Sequence, residues 1–96
     1  MKFEWDKNKA ASNIKKHGIT FEEASSVFYD SYARIIPDPE HSDDEEKFVI
    51  LDISKHAKVL ATCYCYRDND ETIRIISARK ATKTESNTYW RYCHEG

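Results

Sequence analysis

Two arginines, Arg74 and Arg79, stand five residues apart in the segment RIISARKAT (74–82). A guanidinium group can bind a phosphate through two parallel hydrogen bonds, which makes both residues candidates for contacts with a nucleic acid or a nucleotide. The structural alternatives are a solvated side chain at Arg74 and a salt bridge or helix cap at Arg79. The residue types alone leave both possibilities open.

His17 ends the segment NIKKH (13–17), directly after two lysines. Imidazole exchanges protons near neutral pH, so His17 is a candidate general acid or base. Cations in the last turn of a helix also complement the helix dipole, which is a sufficient structural reason for this cluster. Tyr89, four residues after Glu85, also has two possible roles. Its ring could stack on a nucleic-acid base, or it could pack the helix against the sheet.

Capping residues in the N-terminal part of the sequence predict two helices. Asp6 is a candidate N-cap for a helix over 7–17, which Gly18 ends. Thr20 and Glu23 have capping-box spacing and predict a second, short helix. These two helices carry His17 at the junction between them.

β-rich segments follow the two helices. Residues 47–54, 58–67 and 72–78 predict an antiparallel meander, with a brief strand before Pro37 and a short extended piece at 2–5. From Arg79 onward the sequence favours a C-terminal helix. The order predicts an α+β fold with helices on one face of an antiparallel sheet, and Arg79 is expected where the last strand passes into the helix.

Composition narrows the class of protein. The chain has 96 residues and a net charge of −2, and much of its acid lies in DPEHSDDEE (38–46), so the remainder is basic. We expect one domain over 1–96, a cytoplasmic location and no membrane segment, because no apolar run or secretory leader is present. Cys63, Cys65 and Cys93 lack zinc-like spacing, and the apolar run around Cys63 and Cys65 favours buried apolar roles for these two.

Three blocks of sequence resemble the BrnT family of type II toxins. They are FEWDKNKAASNIKKHGITFEEA (3–24), DPEHSDDEEKF (38–48) and RIISARKATKTE (74–85), the last followed by Tyr89. The blocks are collinear and cover nearly the whole chain. One departure is Ser86, where the family usually has arginine after the glutamate, which removes one candidate phosphate contact.

The resemblance implies a RelE-like microbial ribonuclease fold, with two N-terminal helices and a C-terminal helix on an antiparallel sheet. It also implies RNA cleavage that arrests translation, neutralisation by a BrnA-type antitoxin, and contact with operator DNA only through the antitoxin complex. No cofactor and no metal are implied. The expected catalytic residues are Arg74, Arg79, His17, Glu85 and Tyr89, and the expected RNA contacts are Lys15, Lys16, Lys80 and Lys83.

In this interpretation the arginines stabilise the charge of the pentavalent phosphorane, and His17, Glu85 and Tyr89 are the available proton carriers. Two other classes of function remain open. One is a module that docks a partner protein and uses the arginines for that interface. The other is a nuclease that binds a metal ion through the acidic segment 38–46.

Overall fold

A computed structural model describes residues 1–30, 32–37 and 47–95 of the chain. The strands are β1 (Lys2–Glu4), β2 (Arg34–Pro37), β3 (Phe48–Ile53), β4 (Val59–Arg67) and β5 (Thr72–Lys80). The helices are α1 (Lys7–His17), α2 (Phe21–Ser25) and α3 (Lys83–Glu95), and a 3₁₀ turn over Ser26–Tyr29 continues α2. The acidic segment 38–46 lies outside the described residues. None of the described helices is long and apolar enough to cross a membrane.

The strands form one sheet in the order β1-β5-β4-β3-β2. The predicted meander of β3, β4 and β5 is confirmed, and β2 joins it antiparallel to β3. β1 pairs with β5 in parallel, with Phe3 opposite Ile73. This parallel edge is absent from the sequence prediction, because a three-residue strand carries no signal for its partner.

Helix α1 begins and ends where the cap residues predict. The Asp6 carboxylate accepts hydrogen bonds from the backbone N–H groups of Asn8 (2.8 Å) and Lys9 (3.0 Å). Gly18 ends the helix in the left-handed conformation, at φ 69°. The buried residue of α1 is the polar Asn13, whereas Ile14 is 48% exposed. The helix is therefore attached to the sheet mainly by hydrogen bonds.

Asn13 makes three hydrogen bonds to backbone groups. Its amide nitrogen donates to the carbonyl groups of Ile19 (2.9 Å) and Ala78 (2.8 Å), and its amide oxygen accepts from the N–H of Ala78 (3.0 Å). The side chain thereby continues the ladder at the outer edge of β5, beyond the point where β1 ends. This attachment fixes α1 beside β5.

The main core lies between α2, with the residues that flank it, and one face of the sheet, and the partly buried Ala10 of α1 packs against its margin. It consists of apolar side chains from α2 and its flanking residues and from β3, β4 and β5, namely Ile19, Phe21, Ala24, Val27, Ile50, Leu60, Tyr64, Ile73, Ile75 and Ala78. Thr20 accepts from the N–H of Glu23 (3.1 Å), as the capping signal predicts. Glu23 itself is buried and accepts from the Ser54 hydroxyl (2.7 Å), so α2 is tied to the end of β3.

A β-bulge in β5 changes which of its side chains share a face. Cys63 pairs with Ser77 and Tyr64 with Ile75, so Ile76 has no partner in β4. The sequence alternation puts Ala78 on the face of Arg74, but the extra residue turns Ala78 into the core with Ile75. That prediction is wrong because strict alternation holds only in a strand without a bulge.

Helix α3 lies on the opposite face from α1 and α2. Glu85 binds Arg79 and Tyr92 packs against Arg34. Arg34 and Arg79 pair across the strands with Leu51 and Ala61, members of the second cluster, which points away from the main core. The expectation that all helices share one face is wrong, because β3 and β4 carry apolar side chains on both faces.

The junction between β5 and α3 also differs from the prediction. Arg79 is inside β5, since Lys80 still pairs with Leu60 and the Ala81 N–H donates to the carbonyl of Val59 (2.9 Å). Helix α3 starts only after Thr82, whose hydroxyl accepts from the N–H of Glu85 (3.1 Å). Thr82 and Glu85 form a capping box, whose spacing in the sequence is the signal for this later start of the helix.

Candidate active site

Arg79 is held in one orientation by Glu85. Its Nη1 and Nη2 atoms donate to the two carboxylate oxygens of Glu85, at 2.7 and 3.0 Å. Glu85 also accepts from the backbone N–H of Thr82 (2.9 Å). The Arg79 side chain remains 42% exposed. It therefore presents a fixed guanidinium whose remaining N–H groups can bind an anion.

The same ion pair sets the protonation of both partners. The hydrogen bond from Arg79 is the largest cause that lowers the pKa of Glu85, to about 2, with the Thr82 N–H acting in the same direction. Glu85 in turn raises the pKa of Arg79 above its already high value. A carboxylate with so low a pKa is a weak base near neutral pH. Glu85 is therefore better suited to position Arg79 than to carry a proton.

Arg74 has a separate carboxylate partner. Its Nη1 donates to Glu4 on the neighbouring strand β1. The partners of Arg74, Ser77 and Arg79 in β4 are Cys65, Cys63 and Ala61, which alternate along that strand, so the three β5 side chains share one face. Five residues separate the two arginines, a distance of roughly 16 Å along the strand. Contact with both guanidinium groups requires a ligand that extends along the strand over this distance.

A pocket of about 180 Å³ lies between α1 and the outer edge of β5. Its lining residues are Lys9, Ser12, Asn13, Lys16, His17, Ile76 and Ser77. No acidic side chain is among them. Ser77, which shares the face of the two arginines, links this pocket to that face. Lys16 and His17 thus lie beside β5, and their roles toward RNA stay predictions.

The surface formed by Arg74, Ser77 and Arg79 together with the pocket-lining Lys9, Lys16 and His17 is called the β5 basic surface below. Helix α1 runs along it in the direction of β5. Asp6, at the start of α1, is close enough to Arg74 to be affected by its charge. Asn13 is bound to Ala78 farther along. Lys9 is therefore nearer the Arg74 end, and His17 nearer the Arg79 end.

Tyr89 is not on this surface. It is 2% exposed, and its hydroxyl donates to the Asp30 carboxylate (3.3 Å). Burial is the largest cause that raises its pKa, followed by the Cys93 thiol and Asp52. The expected place of Tyr89 beside the arginines is wrong, because α3 presents this side chain to the protein interior. A catalytic role for Tyr89 stays a prediction, which this burial does not support.

The aromatic residues of the C-terminal segment predict that Trp90 or Tyr92 docks the helix on the core, but both side chains stay partly exposed. Trp90 is 44% exposed and Tyr92 is 38% exposed. Trp90 packs edge-on against Tyr89, and Tyr92 lies under the Arg34 guanidinium, 5.3 Å from the ring centre. The residue that anchors the helix is therefore Tyr89.

The remaining predicted RNA contacts are exposed lysines outside the pocket. Lys15 lies on α1 but points away from the lining, Lys80 ends β5, and Lys83 begins α3. Their contact with RNA stays a prediction. Among the described residues, no group of three or more His, Cys, Asp or Glu side chains is arranged to hold a metal ion. The acidic segment proposed for a metal ion lies outside those residues.

The sequence predictions missed two members of this surface, Lys9 and Ser77, and the pocket-lining Ser12. Lys9, Ser12 and Lys16 follow one another at spacings of three and four residues, which places them on the same side of α1. Ser77 and Arg79 share a face of β5 by simple alternation, and the bulge adds Arg74 to that face. The spacing in the sequence therefore indicated the lysines and Ser77, whereas the position of Arg74 beside them depended on the bulge.

Comparison with known proteins agrees with this geometry. Residues 5–85 match the model of a family described as the ribonuclease toxin BrnT of type II toxin–antitoxin systems. The chain belongs to the BrnT family. The resemblance seen in the sequence is thus confirmed, together with the function of a ribonuclease toxin in a type II toxin–antitoxin system. Membership implies an RNA substrate and an antitoxin partner.

The fold is also confirmed by a solved structure. The crystal structure of the Brucella abortus ribonuclease toxin, BrnT, superimposes with a TM-score of 0.66 at 24% sequence identity. The match covers 86% of this chain and 99% of the Brucella chain. The RelE-like α+β fold implied by the resemblance is therefore correct. A search of curated proteins found no match.

Proposed function

We propose that this BrnT family member is a metal-independent endoribonuclease whose reaction centre lies between Arg79 and His17. The observation that carries the proposal is the continuity of the β5 basic surface. Arg79 is oriented by Glu85 on the same face as Ser77, and Ser77 lines one pocket with His17. A charge-stabilising group and a proton carrier therefore border one exposed surface.

Cleavage of RNA without a metal ion requires three events. The 2′-hydroxyl loses a proton, the phosphorane charge is stabilised, and the 5′-oxygen gains a proton. Arg79 is suited to the second event because Glu85 occupies only part of its fork. His17 is the exposed proton carrier. Arg74, roughly 16 Å along the strand, meets a neighbouring part of the substrate.

The biological setting follows from the family. We propose that cleavage arrests translation, that a BrnA-type antitoxin neutralises the protein in the cytoplasm, and that operator DNA is contacted only through the antitoxin complex. The family description supports a toxin with a dedicated antitoxin. The BrnA class of the antitoxin and the operator contact are inferred from the sequence resemblance.

The decisive experiment is cleavage of purified, protein-free RNA in excess EDTA. His17→Gln removes the proton carrier and should slow cleavage by a factor of about 10²–10⁴. Arg79→Ala should slow it by about 10²–10³, since one preorganised electrostatic group is lost. His56→Gln, on the exposed turn after β3, is the matched control. Premixing with the candidate antitoxin should abolish cleavage.

Loss of cleavage in EDTA, with recovery on adding a divalent ion, would instead favour a metal-dependent nuclease. Equal activity of the His17→Gln and His56→Gln proteins would remove His17 from the reaction. If protein-free RNA stays intact, the same variants are tested on translating ribosomes.

A second candidate function is a module that docks a partner protein. The observation that favours it is that Arg74 and Arg79 are each already paired with a carboxylate. In that case Arg79→Ala should weaken binding of the partner while RNA remains intact in every assay. A ribonuclease should show the reverse pattern, with lost cleavage and retained antitoxin binding.

A further inference from the structure

The pocket between α1 and β5 has the composition of an anion site. Lys9 and Lys16 extend from one side of α1, and Ser12 lies between them along the helix. The opposite wall is the bulged part of β5, Ile76 and Ser77. The Asp6 carboxylate, which caps α1, is affected by the charge of Lys9 but does not line the pocket.

The pocket is preformed by contacts that do not use its cations. The buried Asn13 lines the pocket, and its side chain makes three hydrogen bonds with backbone groups of Ile19 and Ala78. This attachment fixes the distance between α1 and β5. The two lysines and the Ser77 side chain are consequently left exposed at the rim, where they can meet a ligand.

The volume of the pocket, about 180 Å³, is many times what one water molecule requires. Its position matters equally. Ser77 lies two residues from Arg79 on the same face of β5, a distance of roughly 7 Å along the strand. A polyanion that runs along β5 across Arg79 must therefore pass the mouth of the pocket.

We propose that this pocket is a subsite for a backbone phosphate of single-stranded RNA, bound by Lys9 and Lys16 with hydrogen bonds from the hydroxyl groups of Ser12 and Ser77. The subsite takes a phosphate next to the one cleaved, on the Arg74 side. This inference rests on the proposed ribonuclease function. It assigns substrate binding to Lys9 and separates Lys16, which lines the pocket, from its neighbour Lys15, which does not.

The test measures binding of a single-stranded oligonucleotide with 2′-O-methyl groups, which lacks the nucleophile and cannot be cleaved. The Lys9→Ala/Lys16→Ala double variant is compared with Lys55→Ala/Lys58→Ala, on the turn between β3 and β4. Both remove two exposed lysines and change the net charge equally, but only the first pair lines the pocket. Thermal unfolding of each variant checks that the fold is retained.

Each lysine that neutralises a phosphate of a single strand contributes about 0.7 to the slope of log affinity against log salt. Loss of Lys9 and Lys16 should therefore reduce the slope by about 1.4. Between about 50 and 200 mM salt, the wild type should then lose about sevenfold more affinity than the double variant. The Lys55→Ala/Lys58→Ala protein should keep the wild-type slope.

A second pair of variants tests the pocket rather than the total charge. Ser77→Glu introduces a carboxylate at the rim, and Ser77→Gln introduces a neutral side chain of the same size. Binding should weaken at least tenfold more in the glutamate protein. Equal affinities of these two proteins, or equal salt slopes of the two lysine double variants, would overturn the subsite.

The outcome is separable from the fate of the proposed function. If RNA is cleaved in EDTA while the pocket variants bind like their controls, the subsite is wrong and the ribonuclease proposal stands. If binding falls as expected but no RNA is cleaved, the subsite stands and the cleavage proposal fails. A wild-type protein that does not bind the oligonucleotide overturns the subsite directly.

Discussion

Replacing Asp52 by asparagine should change how stability depends on pH. Asp52 is fully buried on β3. Its Oδ1 accepts from the N–H of Ile53 (2.8 Å), and its Oδ2 has no hydrogen-bond partner. Burial is the largest cause that raises its pKa, to about 7, and the neighbouring Asp30 carboxylate acts in the same direction. The group is thus protonated in the folded protein under mildly acidic conditions.

The sign follows from proton counting. The carboxyl group of an unfolded chain has a pKa of about 3.8, so between this pH and about 7 the folded protein holds a proton that the unfolded chain has lost. Stability contributed by this group is fully present below pH 3.8 and is lost as the pH rises through 7. A window of about 3 pH units at about 1.4 kcal/mol each gives about 4 kcal/mol.

Urea unfolding at several values between pH 4 and pH 8 measures the effect. Wild-type stability should fall by about 4 kcal/mol from this group across the series, while Asp52→Asn should lack that decline. The free energy of unfolding of the variant should therefore increase relative to that of the wild type as the pH rises. Asp70→Asn, on the exposed turn before β5, is the control and should follow the wild type. Parallel curves for wild type and Asp52→Asn would refute the reasoning.

Three further predictions concern the elements that position the site. Arg79 lowers the pKa of Glu85 to about 2, so this group contributes stability that is present above pH 4.5 and is lost as the pH falls towards 2. Glu85→Gln should therefore reduce the loss of unfolding free energy over this pH range by about 1–2 kcal/mol, as measured by urea unfolding at low pH. Asn13→Ala should cost about 3 kcal/mol in urea unfolding, because buried backbone groups lose their partner, whereas the exposed Asn8→Ala should cost far less. Gly18→Ala should lower the free energy of unfolding by roughly 1–2 kcal/mol through backbone strain at φ 69°, since the space around the added Cβ is open.

Each of these has an outcome that contradicts it. An unchanged acid limb in Glu85→Gln would mean that the ion pair with Arg79 contributes nothing to folding. Similar stabilities of the two asparagine variants would mean that water replaces the Asn13 side chain. For Gly18, Asn tolerates the left-handed conformation better than Ala, so Gly18→Asn should be the milder change, and the reverse order would point to a cause other than strain.

Local signals in the sequence determined much of the fold. Asp6 and Gly18 set both ends of α1, because a cap depends only on residues within one turn. The runs that became β3, β4 and β5 were recognisable from their composition, and short connections forced them to pair antiparallel. Membership of the BrnT family could also be recognised from the sequence, because each block that matches the family is a continuous stretch of residues.

The composition of the candidate site depended on tertiary structure. A bulge at Ile76, invisible in the alternation of β5, decided that Ser77 joins Arg74 and Arg79 while Ala78 enters the core. The packing of α3 buried Tyr89 and paired Glu85 with Arg79, which makes two of the three expected proton carriers less suited to that role. Contacts between residues far apart in the chain set these pKa values and exposures, so the residue types alone left them open.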